Sequence, residues 1–234
     1  QDAFISKFNS DGNKEWTKLL GTSSEIKSLS ASTGRDIVIG NDGSIYLTGE
    51  TSGDLHDQIN TGHEDAFISK FDRDGKRQWT KLLGSIHNDI PYGITIENKG
   101  FIYITGATQS SIDSQTHNGR YDGFISKFNS DGDKQWTKLL GTTQDETSRG
   151  ISTIFDDVIY ITGYTEGDLG GESNSGKQDA FMTKFNSDGD QQWTKLLATS
   201  TWDYAQAITT GNDGSIYIAG STRGDLDGQA NSGM

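Results

Sequence analysis

Hydrophobic residues in this chain come in short alternating runs and never settle into a helical period. In the segment DAFISKF from Asp65, Phe67, Ser69 and Phe71 fall on one side, and Ala66, Ile68 and Lys70 on the other. The IYITG segment around Tyr103, the QWTKLL segment around Trp79 and the I-x-I segments at Ile37 and Ile94 have the same character. All are short and rich in β-branched and aromatic residues. Polar turn signals separate them: Asn41-Asp42-Gly43, Asn129 to Gly132, and Asn212-Asp213-Gly214. Asn and Asp tolerate left-handed backbone and Gly adopts positive φ freely, so these are hairpin turns. The pattern predicts many short antiparallel strands and almost no helix.

The strands repeat. DAFISKFNSDG from Asp2 returns at Asp65, Asp122 and Asp179, at steps of 63, 57 and 57 residues. A W-T-K-L-L segment follows in each copy, opening at Trp16, Trp79, Trp136 and Trp193. The segments from Ile37, Ile94, Ile151 and Ile208 keep a step of 57 throughout. The first copy therefore carries six extra residues, placed around Thr22 to Gly34. Four repeat lengths of 57 and this insertion account for all 234 residues.

Each repeat supplies four strands, labelled A (the I-x-I segment), B (IYITG), C (AFISKF) and D (QWTKLL). A lone sheet this polar buries little, whereas sheets stacked about an axis hide both faces and protect their edges. The expectation is an all-β fold: a single β-propeller domain over residues 1–234, with four-stranded antiparallel blades. The chain begins with strands C and D and ends with A and B. A four-bladed ring with its last blade closed by both termini is the first expectation. An eight-bladed ring of two chains, or a piece of a longer array, suits the same phase.

The order GDLDGQANSG, DAF, KF, DG, W and IYITG resembles the bacterial SBBP-type β-propeller repeats, over the whole chain and in all four copies. The resemblance implies a secreted or surface-attached bacterial protein, extracellular in location. It implies no activity, because the family shares no catalytic residues. It also suggests seven blades, and four repeats depart from that number.

Composition narrows the partners. A net charge of −13 argues against nucleic acid and anionic membranes, both of which call for a basic face. No apolar run approaches the ~20 residues of a membrane-spanning helix. There are no cysteines, so disulfides and thiolate chemistry are excluded. The start at Gln1, without a signal segment or initiator Met, reads as a mature or trimmed product. No nucleophile, zinc or nucleotide signature is present, and no enzymatic activity is expected.

Two loop sets draw attention. The B–C loop reads GDLHDQINTG from Gly53, GDLGGESNSG from Gly167 and GDLDGQANSG from Gly224. Oxygen side chains around a glycine are what a calcium loop uses, which makes Asp225, Asp227 and Asn231 the fullest candidate set. Asp168 with Asn174, and Asp54 with Asp57 and Asn60, are its counterparts. Local turns formed by the same side chains are the competing reading. In the D–A loops, Trp202 is peculiar to the fourth copy, and Asp89, Glu146 and Asp203 align beside it, where the first copy has Ser32. Both loop sets emerge at one end of the blades. The expectation is a binding or scaffolding propeller, monomeric or a ring-completing dimer, that presents this end to a protein or glycan. A lectin-like module and a structural spacer are the alternatives.

Overall fold

The computed structural model describes residues 1–22, 30–154 and 158–233. Most of the six-residue insertion expected near Thr22 to Gly34 lies outside the described residues. Among them are sixteen strands and no helix, hence none long and apolar enough to cross a membrane. A hairpin of β1 (Ala3–Phe8) and β2 (Lys14–Leu20) comes first. A complete sheet follows: β3 (Ser32–Ile39), β4 (Ile45–Thr51), β5 (Asp65–Phe71) and β6 (Arg77–Leu83). The second is β7 (Asp89–Ile96), β8 (Ile102–Thr108), β9 (Asp122–Phe128) and β10 (Lys134–Leu140). The third is β11 (Glu146–Ile154), β12 (Val158–Thr165), β13 (Asp179–Asn186) and β14 (Gln191–Leu197). A hairpin of β15 (Asp203–Thr210) and β16 (Ile216–Thr222) ends the series. Every pairing is antiparallel and follows chain order.

The repeat sequence accounts for the hairpins. In the C–D turn of the second sheet, Asn129 Oδ1 accepts from the Asp131 and Asp133 amides at 3.0 and 2.8 Å. Gly132 then takes φ +80, a backbone that a Cβ would strain. Within each C–D pair a hydroxyl couple crosses the strands, as in Ser126 with Thr137 at 2.9 Å and Thr183 with Thr194 at 2.8 Å.

The core lies between sheets. Phe67, Phe124 and Phe181, one repeat apart, have no exposed surface. Each such ring is worth about 1.5–3 kcal/mol of burial. Glycine on the neighbouring B strand makes room, since a Cβ at Gly49 or Gly106 would stand 2.8 or 2.7 Å from the Phe67 or Phe124 ring. The repeat tryptophans pack on the B-strand tyrosines, Trp79 on Tyr46 and Trp136 on Tyr103, both at 6.1 Å. Their indole N–H groups donate to the next sheet's C–D turn, Trp79 to Ser130 O and Trp136 to Ser187 O. The A strands β3, β7, β11 and β15 pack side by side in one row.

The sheets thus have the blade sequence expected, but the shared blade does not form. β16 pairs with β15 alone and β1 with β2 alone, and β15 does not pack back on β3 as the other A strands pack on one another. Among the described residues there are three complete blades, with a two-stranded half-blade before them and another after them.

Candidate functional site

All four A strands break register near their start. The extra residues are Arg35, Tyr92, Arg149 and Gln206, between the paired neighbours Gly34 and Asp36, Pro91 and Gly93, Ser148 and Gly150, and Ala205 and Ala207. A bulge re-aims the side chain it releases. Here four bulges stand at one repeat position, near the end that carries the B–C and D–A loops, and three of their side chains form a row: Arg35 lies 5.7 Å and Arg149 4.1 Å from the centre of the Tyr92 ring.

The first three of these side chains interlock with their neighbours, whereas Gln206 is exposed. Arg35 Nε and Nη2 donate to the two carboxylate oxygens of Glu50 at 2.8 and 2.7 Å. Such a two-pronged pair fixes both groups. The Arg149 guanidinium lies 4.1 Å from the centre of the Tyr92 ring and 5.8 Å from that of Tyr164. Tyr164 meets Tyr204 edge-on at 5.2 Å. Burial raises the Tyr92 hydroxyl pKa, and the arginines on either side oppose that rise.

Between the second and third blades the row opens into a cleft of about 230 Å³, lined by Tyr92, Tyr121, Tyr164, Arg120, Asp145 and Glu166, among others. Arg120 Nη2 pairs with Asp145 at 2.8 Å. Gln178 Nε2 donates to Glu166. The cleft thus sets tyrosine rings among fixed charged and amide groups, a combination suited to polar ligands with a flat or hydroxyl-bearing face.

The D–A candidates lie deeper than the cleft. Asp89, Glu146 and Asp203 are buried and hold their own loops. Asp89 Oδ2 accepts from the Ser85 amide at 2.6 Å, and Asp203 Oδ2 likewise from Thr199 at 2.6 Å. Glu146 accepts from the Thr142 amide and from the Thr165 hydroxyl, both at 2.6 Å. Facing them, the first residues of the C strands, Asp65, Asp122 and Asp179, are also buried, each with an Oδ1 that has no hydrogen-bond partner, and His117 Nε2 lies 3.9 Å from that of Asp122. Desolvation raises the pKa of Asp65, Asp122, Glu146 and Asp179, and takes Asp89 up to about 6. Trp202 is half-buried, with Lys177 4.1 Å and Arg223 4.6 Å from its ring.

The B–C candidates are engaged in turns. Asp54, Asp168 and Asp225 accept through Oδ1 from the amides of Asn60, Asn174 and Asn231 at 2.9, 2.8 and 2.7 Å. The same three asparagines donate through Nδ2 to Thr51 O, Thr165 O and Thr222 O. Asp57 and Asp227 are exposed. Among the described residues, no group of three His, Cys, Asp or Glu side chains could hold a metal ion.

The structure therefore brings the two loop sets to one end, and adds residues that sequence reasoning missed: Arg35, Tyr92, Arg149 and Gln206, with Glu50, Tyr164 and Tyr204. Their alignment column does not stand out: arginine fills it in two copies, and the preceding column, Gly34, Pro91, Ser148 and Ala205, differs in all four.

Known proteins agree on architecture. A model of the SBBP "Beta-propeller repeat" family matches residues 78–113. The regulatory protein FlaEY of Caulobacter vibrioides is 26% identical over 219 residues, covering 85% of this chain and 23% of that protein. An uncharacterized WD repeat-containing protein of Acanthamoeba polyphaga mimivirus is 27% identical over 144 residues, 54% of this chain and 10% of its own length. The chain thus spans less than a quarter of either curated relative. A crystal structure of a protein of unknown function from Bacteroides caccae superposes with a TM-score of 0.55 at 11% identity, over 93% of this chain and 61% of that one. Residues 78–113 thus carry the SBBP-type β-propeller repeat, and the strands and turns of the other copies resemble it in order and spacing.

Proposed function

We propose that this chain is a non-enzymatic binding module of a bacterial secreted or surface protein, and that its ligand seat is the cleft between the second and third blades. The cleft carries the reading. It joins three tyrosines to an Arg120–Asp145 pair at the end where the repeats differ most, and it is held by hydrogen bonds before any ligand arrives. Prior ordering of this kind lowers the entropy cost of binding. A volume of about 230 Å³ suits one ring of a glycan chain or one polar side chain of a protein loop. The density of tyrosine rings favours the glycan, because a sugar's C–H face stacks on aromatics while its hydroxyls meet fixed charges.

Glycan-array binding of the chain and of Tyr164→Ala tests this. The expected result is a defined set of glycans retained by the parent and weakened roughly tenfold or more by the variant, the loss of ~1.4 kcal/mol. An array with no signal would remove the glycan reading and leave a protein ligand or a spacer role. Equal binding by parent and variant would move the ligand away from the cleft.

A further inference from the structure

We propose that the cleft between the second and third blades seats a carboxylated sugar, a uronate unit of a glycan, and that Arg149 grips its carboxylate. This rests on the glycan reading of the cleft and names the kind of glycan.

The first blade shows what a bulge arginine does when a carboxylate is at hand. Arg35 is the unpaired residue of the β3 bulge, and its Nε and Nη2 hold the two oxygens of Glu50 at 2.8 and 2.7 Å. Glu50 faces Thr33 across the β3–β4 ladder. Arg149 is the same residue type at the same bulge of β11. There the position facing Thr147 belongs to Tyr164 and not to a glutamate. The third blade thus has the fork without its carboxylate.

The fork is held open. Arg149 Nε is buried and has no hydrogen-bond partner. No carboxylate of the described residues pairs with its guanidinium. The Tyr92 and Tyr164 rings lie against the guanidinium, at 4.1 and 5.8 Å to their centres. Ring contacts of this kind hold the group in place without accepting from its in-plane N–H donors. A buried N–H with no acceptor is costly, and the edge of a guanidinium matches a carboxylate through two parallel hydrogen bonds. Tyr92 and Tyr164 also line the cleft, so the fork adjoins it.

The cleft has the opposite need as well. Gln178 lines it, donates through Nε2 to Glu166, and leaves its Oε1 buried with no donor. Glu166 lines the cleft too, and follows Tyr164 by two residues, on the same side of the chain where it runs extended. These oxygens call for hydroxyl donors. A uronate unit carries both complements on one ring: a carboxylate for Arg149 and hydroxyls for Gln178 and Glu166, with a C–H face to lay on tyrosine. A neutral sugar would leave the Arg149 fork empty, and an ammonium group would set a second cation beside it. The chain's net charge of −13 repels anions at long range, so the attraction is local and comes from this one uncompensated guanidinium.

Isothermal titration of the whole chain with oligomers of galacturonate, guluronate and mannuronate tests the proposal. EDTA is present so that no divalent cation bridges sugar to protein. At least one uronate is expected to bind, and its methyl ester to bind roughly tenfold or more weakly. Arg149→Gln, with unchanged β circular dichroism, is expected to weaken the acid by a similar factor and to leave the ester as it was. Arg149→Lys keeps the charge without the planar fork and should restore only part of the loss. The ester comparison needs no variant, so it decides even where a substitution disturbs folding. Acid and ester bound alike, or the acid bound alike by parent and folded Arg149→Gln, would overturn the uronate assignment and leave the glycan reading standing. Binding of neutral glycans alone, lost in Tyr164→Ala, would do the same. No binding of any glycan would overturn both readings, and binding of a polyglutamate peptide in their place would give the fork to a protein ligand.

Discussion

Asp89 has no exposed surface and is held by the Ser85 amide and hydroxyl and by the Thr108 hydroxyl. Its folded pKa of about 6 stands above the ordinary carboxylate value, with burial as the cause. As pH rises, the unfolded chain releases this proton first, near pH 4. Between about pH 4 and 6 the native state therefore holds more protons than the unfolded one, and stability falls with rising pH. The full effect is about 3 kcal/mol, complete above pH ~6.5. Asp65, Asp122, Glu146 and Asp179 shift in the same direction. Asp89→Asn is expected to flatten the fall measured by denaturant unfolding between pH 4 and 7; parallel pH curves for the two proteins would refute the assignment. Trp202→Ala removes the ring that Lys177 and Arg223 share. Two partly exposed cation–aromatic contacts make that loss about 1–2 kcal/mol, readable as a lower urea midpoint.

At the scale of elements, the C strand and its phenylalanines hold each blade to its neighbour. Phe124→Ala should cost about 3–5 kcal/mol by leaving a cavity between blades, measured as a loss in unfolding free energy. The B–C loop poses a different question. Its Asp–Asn hydrogen bonds close the turn with protein groups alone, in all three well-kept copies. Thermal midpoints in EDTA and in millimolar calcium are accordingly expected to coincide. A rise of several degrees with calcium would return Asp225, Asp227 and Asn231 to the role of ligands, since saturating a site at 100 times its Kd adds about 2.7 kcal/mol.

At the scale of the whole molecule, the first and last hairpins expose apolar side chains, Phe4, Phe8 and Tyr217 among them, and anything that binds them in the folded state raises the thermal midpoint by mass action. A midpoint that rises over a hundredfold range of chain concentration would show that copies of this chain cover them, and a constant midpoint that they do not.

Much of this architecture is legible in one dimension. Alternation in DAFISKF, the Asn-Ser-Asp-Gly turns and one tryptophan per repeat determine strand, hairpin and interblade contact, because each depends on neighbours within a repeat or on the next repeat in line. The grouping of the B–C and D–A loops follows from antiparallel order alone. Other features rest on distances between repeats that no single copy encodes. Whether β16 pairs with β1 is one of them: the structure leaves the two hairpins as separate sheets, where the sequence phase led one to expect a shared blade. Burial turned Asp89, Glu146 and Asp203 from surface candidates into loop anchors, since an acidic residue in a polar loop reads the same whether it faces water or the blade beneath. The bulges at Arg35, Tyr92, Arg149 and Gln206 were hidden for a similar reason. One unpaired residue shifts register without changing composition, and only the partner strand reveals where its side chain is sent.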